Sequence, residues 1–393
     1  MRKQNNNQKA FFALVRAGLW GDVKVNGYRL KLKESAIDWG EIMRLAEEQA
    51  VIGLIADGID RFKTQVSGFQ IPQEWALQFI GTTLQLEQQN KAMNSFIAIW
   101  LKKLQKAGVN PVLIKGQGIA QCYQHPLWRA NGDVDLLVNS HDYNMAKSLL
   151  ISYSQTEAKE TETTKEYCLT IEGWAVELHG TLYCRLTKRL DAFLDKIQDD
   201  CCNRRGVRTW DWDGTEVLLP SEDNDVFVIF THIVKHYFRE GVGLRQLCDW
   251  CRLMWTYREK LDLRLLESRI REAGLNTEWK AFAALAVEYL GMPVEAMPLY
   301  SSSWMWKRKA TRIMDFVFET GNFGHNRGNS YTDKKPRLVV KAISLWRHTW
   351  DLARQFLVFP MDSVRVWWSM VRIGVNQVKK EAKEKGKNLD QKM

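Results

Sequence analysis

Strand-type patterning in this 393-residue chain is confined to one central stretch, residues 109–220, and helical spacing holds on both sides of it. That distribution calls for an α+β fold, in which a small mixed β-sheet core is flanked by helical N-terminal and C-terminal regions. From Trp75 to Lys106 there is no proline, and Leu77, Ile80, Leu84, Leu86, Met93, Phe96, Ile99 and Leu101 recur mostly three or four apart. This is the spacing of a long amphipathic helix. Gly108 and Pro111 end it, and the pattern then changes.

Val112-Leu113-Ile114 is a short apolar run ending in Lys115-Gly116, as expected for a strand entering a tight loop. A short helix is expected from Ile119 to Tyr123, followed by a second strand, Asp133 to Val138. Asn139-Ser140 can cap a helix over residues 141–154. Two further strands, Tyr167–Ile171 and Trp174–Leu178, flank Glu172-Gly173 as a hairpin turn. Helical periodicity returns at Ser221, with helices expected over Arg245–Tyr257, Asp262–Ala273 and Thr277–Leu290. Gly321 to Ser330, with three Gly and three Asn, reads as a loop. We therefore expect a helical region 1–108, a core 109–220, a helical domain 221–320 and a basic tail 331–393.

Hydrophobic residues make up 45% and charged residues 26%, a globular balance that excludes wholesale disorder. The first residues lack the apolar core and cleavage site of a signal peptide, and no long uncharged apolar run suggests a membrane span. Seven scattered cysteines then read as reduced thiols, which points to a cytoplasmic protein. Cys248-Asp-Trp-Cys251 fits buried thiols better than zinc, because the nearest other pair, Cys201-Cys202, is far away in sequence.

The chemistry concentrates between Val112 and Val138. Residues two apart on a strand share a face, so Asp133 and Asp135 would present two carboxylates side by side. Like charges this close need a cation, and hard oxygen ligands suit Mg²⁺. Lys115 and Gly116 can bring a cation and backbone N–H groups to a phosphate. Glu177, sharing a strand face with His179, would supply a third carboxylate for a two-metal clamp. Acidic pairs of this spacing also occur at Glu160/Glu162, Asp211/Asp213 and Asp223/Asp225. Of these, Asp211/Asp213 lies in a strand-like run, but Gly214 follows it at once, as at a hairpin tip. The alternative for Asp133 and Asp135 is a pair of turn carboxylates after Asn131-Gly132, and these residues alone do not choose.

Lys-Gly, then an arginine, then GDVDLLV, with VELH about 40 residues on, resembles the bacterial uncharacterised nucleotidyltransferase family, within the DNA polymerase beta-like superfamily. The resemblance extends more weakly to HIVKHYF and GLRQLCDWCRLM, covering residues 73–257. It implies that Asp133, Asp135 and Glu177 are the catalytic, metal-binding acids. Lys115 and Gly116 stand in place of the usual glycine turn, although Lys115-Gly116-Gln117-Gly118 departs from Gly-Ser and the third acid is Glu rather than Asp. The implied cofactor is Mg²⁺, two ions, with Mn²⁺ as a substitute. The implied reaction moves a nucleoside monophosphate from a nucleoside triphosphate to a hydroxyl acceptor: a small molecule, a sugar or a protein. Lys115, Gly116, Arg129, His179 and His236 are the expected substrate-binding residues. His232 and His236 lie four apart on a helix, but Ile233 stands where a metalloprotease needs Glu.

The net charge of +10 comes mostly from the end of the chain: Tyr331–Met393 has 14 Lys/Arg against 6 Asp/Glu, a net of +8. A nucleic-acid partner is disfavoured, since no basic, aromatic-interleaved stripe lies near the expected site. The tail reads as two amphipathic helices. Leu338, Ala342, Leu345, Trp346, Trp350, Ala353 and Phe356 share a face of the first, and Val364, Trp367, Met370 and Val371 a face of the second. The expectation is that these faces pack on the body or a partner. The competing reading is a peripheral contact through residues 337–383 with an anionic membrane surface, which would place the protein at the membrane's inner face. The alternative to an enzyme is a non-catalytic membrane-surface or adaptor protein with a degenerate nucleotidyltransferase core.

Overall fold

A computed structural model describes residues 6–25, 28–29, 37–155, 159–161, 165–322 and 337–372. Helices α1 (Asn6–Trp20), α2 (Trp39–Glu48), α3 (Ile52–Gln65) and the long α4 (Gln73–Lys106) open the chain, with a two-residue ladder β1 (Lys24–Val25) and β2 (Tyr28–Arg29) after α1. The central sheet contains β3 (Val112–Ile114), β4 (Asp133–Leu137), β5 (Lys159–Thr161), β6 (Glu166–Ile171) and β7 (Trp174–His179), in the order β3-β4-β7-β6-β5. Strand β4 runs parallel to β7 and antiparallel to β3, so the sheet is mixed and the fold is α+β. Helices α5 (Gly116–Ala120) and α6 (Tyr143–Ile151) flank β4 in sequence, and α7 (Lys188–Cys202) precedes a hairpin of β8 (Val207–Trp212) and β9 (Thr215–Pro220). Then follow α8 (Glu222–Arg239), α9 (Leu244–Thr256), α10 (Leu263–Ala273), α11 (Asn276–Leu290), α12 (Trp304–Thr320), α13 (Arg337–Phe356) and a helix over residues 360–372.

Alternation along β4 decides where the site lies. Val134 and Leu136 face a core made with Met93, Phe96 and Trp100 of α4 and with α6. Leu137 faces the other way, into the helical core that holds Phe230, Trp250 and Trp279. Both sheet faces are therefore covered, and Asp133 and Asp135 open toward the side covered by α8 and α9. The expected turns are present: Glu172 and Gly173 take φ of 51° and 82°, and Asp213 and Gly214 take 49° and 69°. Paired positive φ values are those of a two-residue hairpin, so Asp211 and Asp213 belong to a hairpin end.

Some expectations need correction. Only part of the α4 stripe is buried: Met93, Phe96 and Leu101 enter the core, whereas Leu77, Ile80, Leu84 and Ile99 are exposed. The helix after β3 begins at Gly116, earlier than Ile119, and α6 is shorter than 141–154. Asn139 still caps locally, its Oδ1 accepting from the Asp142 N–H at 2.7 Å. Most of the Gly321–Ser330 loop and the chain after Arg372 lie outside the described residues.

The larger correction concerns α13. Its inward side is Asp351, Leu352 and Gln355, and its aromatic side faces out, with Trp346 70% and Trp350 62% exposed. The reason is what the body offers there. Gln355 Nε2 donates to the buried Tyr237 carbonyl, Arg354 pairs with Glu319, and Val358 and Phe359 just beyond the helix fill the apolar gap beside Phe282.

Helices α1 and α3 cross without space for side chains at the contact. A Cβ on Gly58 would lie 2.1 Å from the Leu14 carbonyl oxygen, and one on Gly18 2.2 Å from that of Leu54. Backbone cannot yield as a flexible side chain does, so Gly58→Ala should lower stability by about 1–3 kcal/mol, the cost of overpacking. The urea midpoint measures it, and an unchanged midpoint would contradict this packing.

Candidate functional site

The register of β4 against β7 places Asp135 directly opposite Glu177, and Ile114 of β3 opposite Asp135 on the other side. Lys115 follows at once. Its backbone takes φ 60° and ψ −149°, a combination normally left to glycine. This turn carries its side chain back over the sheet, where Nζ donates to Asp135 Oδ1 at 2.7 Å. His179 Nε2 meets the same oxygen at 2.8 Å and stands 3.5 Å from Glu177 Oε2. Ligand atoms of Asp135, Glu177 and His179 lie within 4.8 Å of one another. Asp133 is outside that tight group, near the start of the strand, but lines the same cleft.

The electrostatics follow from this crowding. Asp135 itself is the main reason that the Asp133 carboxyl is pushed up to about 6, with burial adding to it and Lys115 opposing. At Asp135 burial also works against the charge, but Lys115 and His179 outweigh it and hold the carboxyl below its ordinary range. His179 is raised despite burial, by its bonds to Asp135 and Glu177. Lys115 is raised despite burial by Asp135, Glu177 and Asp133. Asp133, Asp135 and Glu177 thus crowd together, and a dication held among them would relieve their mutual repulsion. The hard oxygens of Asp133, Asp135 and Glu177 fit Mg²⁺, and His179, bonded to Asp135, steadies that carboxylate.

The cleft, about 740 Å³, lies between this sheet face and helices α8 and α9. Lys115, Gly116, Arg129, Asp133, Asp135, Glu177 and His236 all line it. His179 sits beneath the carboxylates and opens instead on a small neighbouring hollow. Arg129, expected to support phosphates, is otherwise engaged. Its Nε and Nη2 donate to the two oxygens of Asp249, each at 2.7 Å, and its Nη1 donates to Asn131. Asn131 in turn donates to Asn90 of α4, and Arg245 donates to the Ala130 carbonyl at 2.7 Å. These bonds fix the loop that delivers Asp133. Arg129 lines the cleft with its guanidinium already bonded to Asp249 and Asn131.

His236 Nδ1 is 2.9 Å from Glu240 Oε2, and its ring packs edge-on to His232 at 4.2 Å. Burial, then the Lys115, His236 and Lys235 charges, push His232 well down, so its imidazole is neutral. Reading the sequence missed His232, Lys235, Arg239 and Arg245 as parts of the cleft wall. The signal was available for α8, because residues 232, 235, 236 and 239 are spaced three or four apart and so share one helix face. Cys248 and Cys251 are fully buried free thiols.

A protein-family model described as "Uncharacterised nucleotidyltransferase" matches residues 35–291, which include every residue of this cleft. No curated protein and no solved structure matches the chain.

Two outcomes follow from the charge arrangement. Asp249→Ala would leave the Arg129 guanidinium buried without its partner, and stability should fall by about 3–5 kcal/mol in denaturant titrations. For Asp133, the folded carboxyl sits above its ordinary value, so its contribution favours folding at low pH and is lost as pH rises through about 6. In EDTA, Asp133→Asn should therefore melt near wild type at about pH 4 and a few degrees above it beyond about pH 6. A variant less stable than wild type at neutral pH would contradict the crowding.

Proposed function

The chain belongs to the uncharacterised nucleotidyltransferase family, and from that premise we propose that it transfers a nucleoside monophosphate from a nucleoside triphosphate to a hydroxyl acceptor at this cleft. The observation that carries the reading is the convergence of Asp133, Asp135, Glu177 and Lys115 on one cleft wall. The parallel strands β4 and β7 supply the acids and the turn after the antiparallel β3 supplies the lysine, so three separate segments bring these groups to one sheet face beneath a cavity. The acceptor oxygen would attack the α-phosphorus, a P–O bond forming there as the bond to pyrophosphate breaks and the hydroxyl proton leaves.

Asp133, Asp135 and Glu177 would hold two Mg²⁺ ions, which when bound supply charge neutralisation of the triphosphate and a more acidic acceptor hydroxyl. Lys115 keeps Asp135 ionised and adds positive charge at the cleft floor. Gly116, at the turn, takes a positive φ of 44° that suits glycine. Arg245, Lys235 and Arg239 line the walls and would balance phosphate charge without further desolvation. The neutral His232 and its neighbour His236 face the same space from α8 and would orient the acceptor. Arg129 acts through the loop: by holding residues 129–132 it sets where Asp133 points.

The competing reading, a non-catalytic adaptor with a degenerate core, would be favoured by a missing acid, and none of the three is missing. The test is label transfer from each nucleoside triphosphate, radiolabelled at the α-phosphate, with Mg²⁺ or Mn²⁺ and a panel of hydroxyl acceptors. Asp133→Ala and Asp135→Ala should each lower transfer at least about a hundredfold, the scale of single transition-state contacts. Their melting curves should remain cooperative. Equal activity in both variants, or no binding of metal or triphosphate by the wild type, would overturn the reading.

A further inference from the structure

The outward face of the C-terminal helical pair is the largest feature that the cleft chemistry does not use. On α13, Val339, Trp346 and Trp350 are exposed at spacings of seven and four, which puts them on one stripe, and exposed Leu357 follows the end of the helix. The helix over residues 360–372 folds back beside α13, with Trp367 Nε1 donating to Thr349 Oγ1 at 3.4 Å. Its outward side carries Met361, Val364 and Trp368, and Arg365 and Arg372 lie four and eleven residues beyond Met361, on that same side. The inward sides are covered by the body: Leu352, Gln355, Ser363 and Val366 are buried. The exposed apolar stripe is therefore left over after the pair has packed.

We propose that this helical pair docks the protein peripherally on an anionic lipid surface. The chemistry of the face selects that occupant. Two tryptophans on α13 and one on the last helix are large, amphipathic rings of the kind that settle at a bilayer's headgroup level. Arginines stand among and beside them, where their long stems can lie along apolar surface while the charged heads reach phosphate. The two described helices, residues 337–372, carry six Lys/Arg against two Asp, a net of +4. The whole segment Tyr331–Met393 carries a net of +8 against +2 for the rest of the chain, so the end of the chain is the part that anionic headgroups attract. No helix of the described residues is long and apolar enough to cross a membrane, which suits contact along the surface. The proposal is independent of the nucleotidyl-transfer reading, since none of these residues lines the cleft.

Full-length protein sedimented with vesicles tests it. Vesicles of phosphatidylcholine mixed with phosphatidylglycerol should carry the protein down, and pure phosphatidylcholine vesicles should carry far less. Replacing Trp346, Trp350 and Trp368 together by Gln should cut partitioning at least about tenfold. Arg365→Gln with Arg372→Gln should cut it roughly fivefold per charge and flatten its salt dependence. All five side chains are on the surface, so unchanged melting curves are expected and serve as the control for folding. Undiminished binding by the triple Trp variant would overturn the proposal, as would no binding to anionic vesicles. So would concentration-dependent dimerisation of the wild type that the Trp variant abolishes, because the face would then be a contact between copies.

Discussion

Negative charge crowded on one face of the central sheet is the constraint around which the centre of this protein is built. The parallel pairing of β4 and β7 sets Asp135 beside Glu177, and the period of the strand adds Asp133 on the same face. Three carboxylates in a largely dehydrated place are unfavourable without cations. Lys115 accepts an unfavourable backbone conformation, about 1–3 kcal/mol for such outliers, to bring its ammonium to Asp135. His179 adds a second bond to the same carboxylate from below. The loop before β4 is tied down from two sides, through Arg129 to α9 and through Asn131 to α4. A site so strongly braced, with its carboxylates gathered on one face and Lys235, Arg239 and Arg245 on the cleft walls, is arranged before any ligand arrives.

Helix α8 connects this site with the outer surface. His232, Lys235, His236 and Arg239 turn toward the cleft. Tyr237 and Phe238, on its other side, pack against Phe359 where the C-terminal helical pair docks. One rigid helix thus separates a polar cavity from the body's contact with the Trp-bearing pair. The wall of the cleft and the seat of that pair are opposite faces of the same eighteen residues.

Much of the site was legible because its signals are local. Two-residue alternation identified Asp133 and Asp135, the Lys115-Gly116 turn marked the end of β3, and Glu177 with His179 shared a strand face. What could not be read is what depends on residues far apart. The partner of Arg129 is Asp249, 120 positions away, and without it the arginine looks available to a phosphate. Likewise Leu77, Ile80 and Leu84 have a core spacing on α4, but nothing in the described chain covers them. The face that α13 buries was misjudged for a related reason. Hydrophobic periodicity ranks faces by their apolar content, whereas docking here was decided by the Tyr237 carbonyl, Glu319 and the apolar gap filled by Phe359.

The central claim is that Asp133, Asp135 and Glu177 form one cation site that holds the triphosphate of a nucleotide. Crystals grown with Mn²⁺ and a non-hydrolysable nucleoside triphosphate test it most directly, through the anomalous signal of the metal. The account predicts manganese peaks between these carboxylates, bridging to the phosphates, with Lys115 still beside Asp135. A triphosphate bound in the cleft with no metal at these acids, or manganese bound elsewhere, would contradict it.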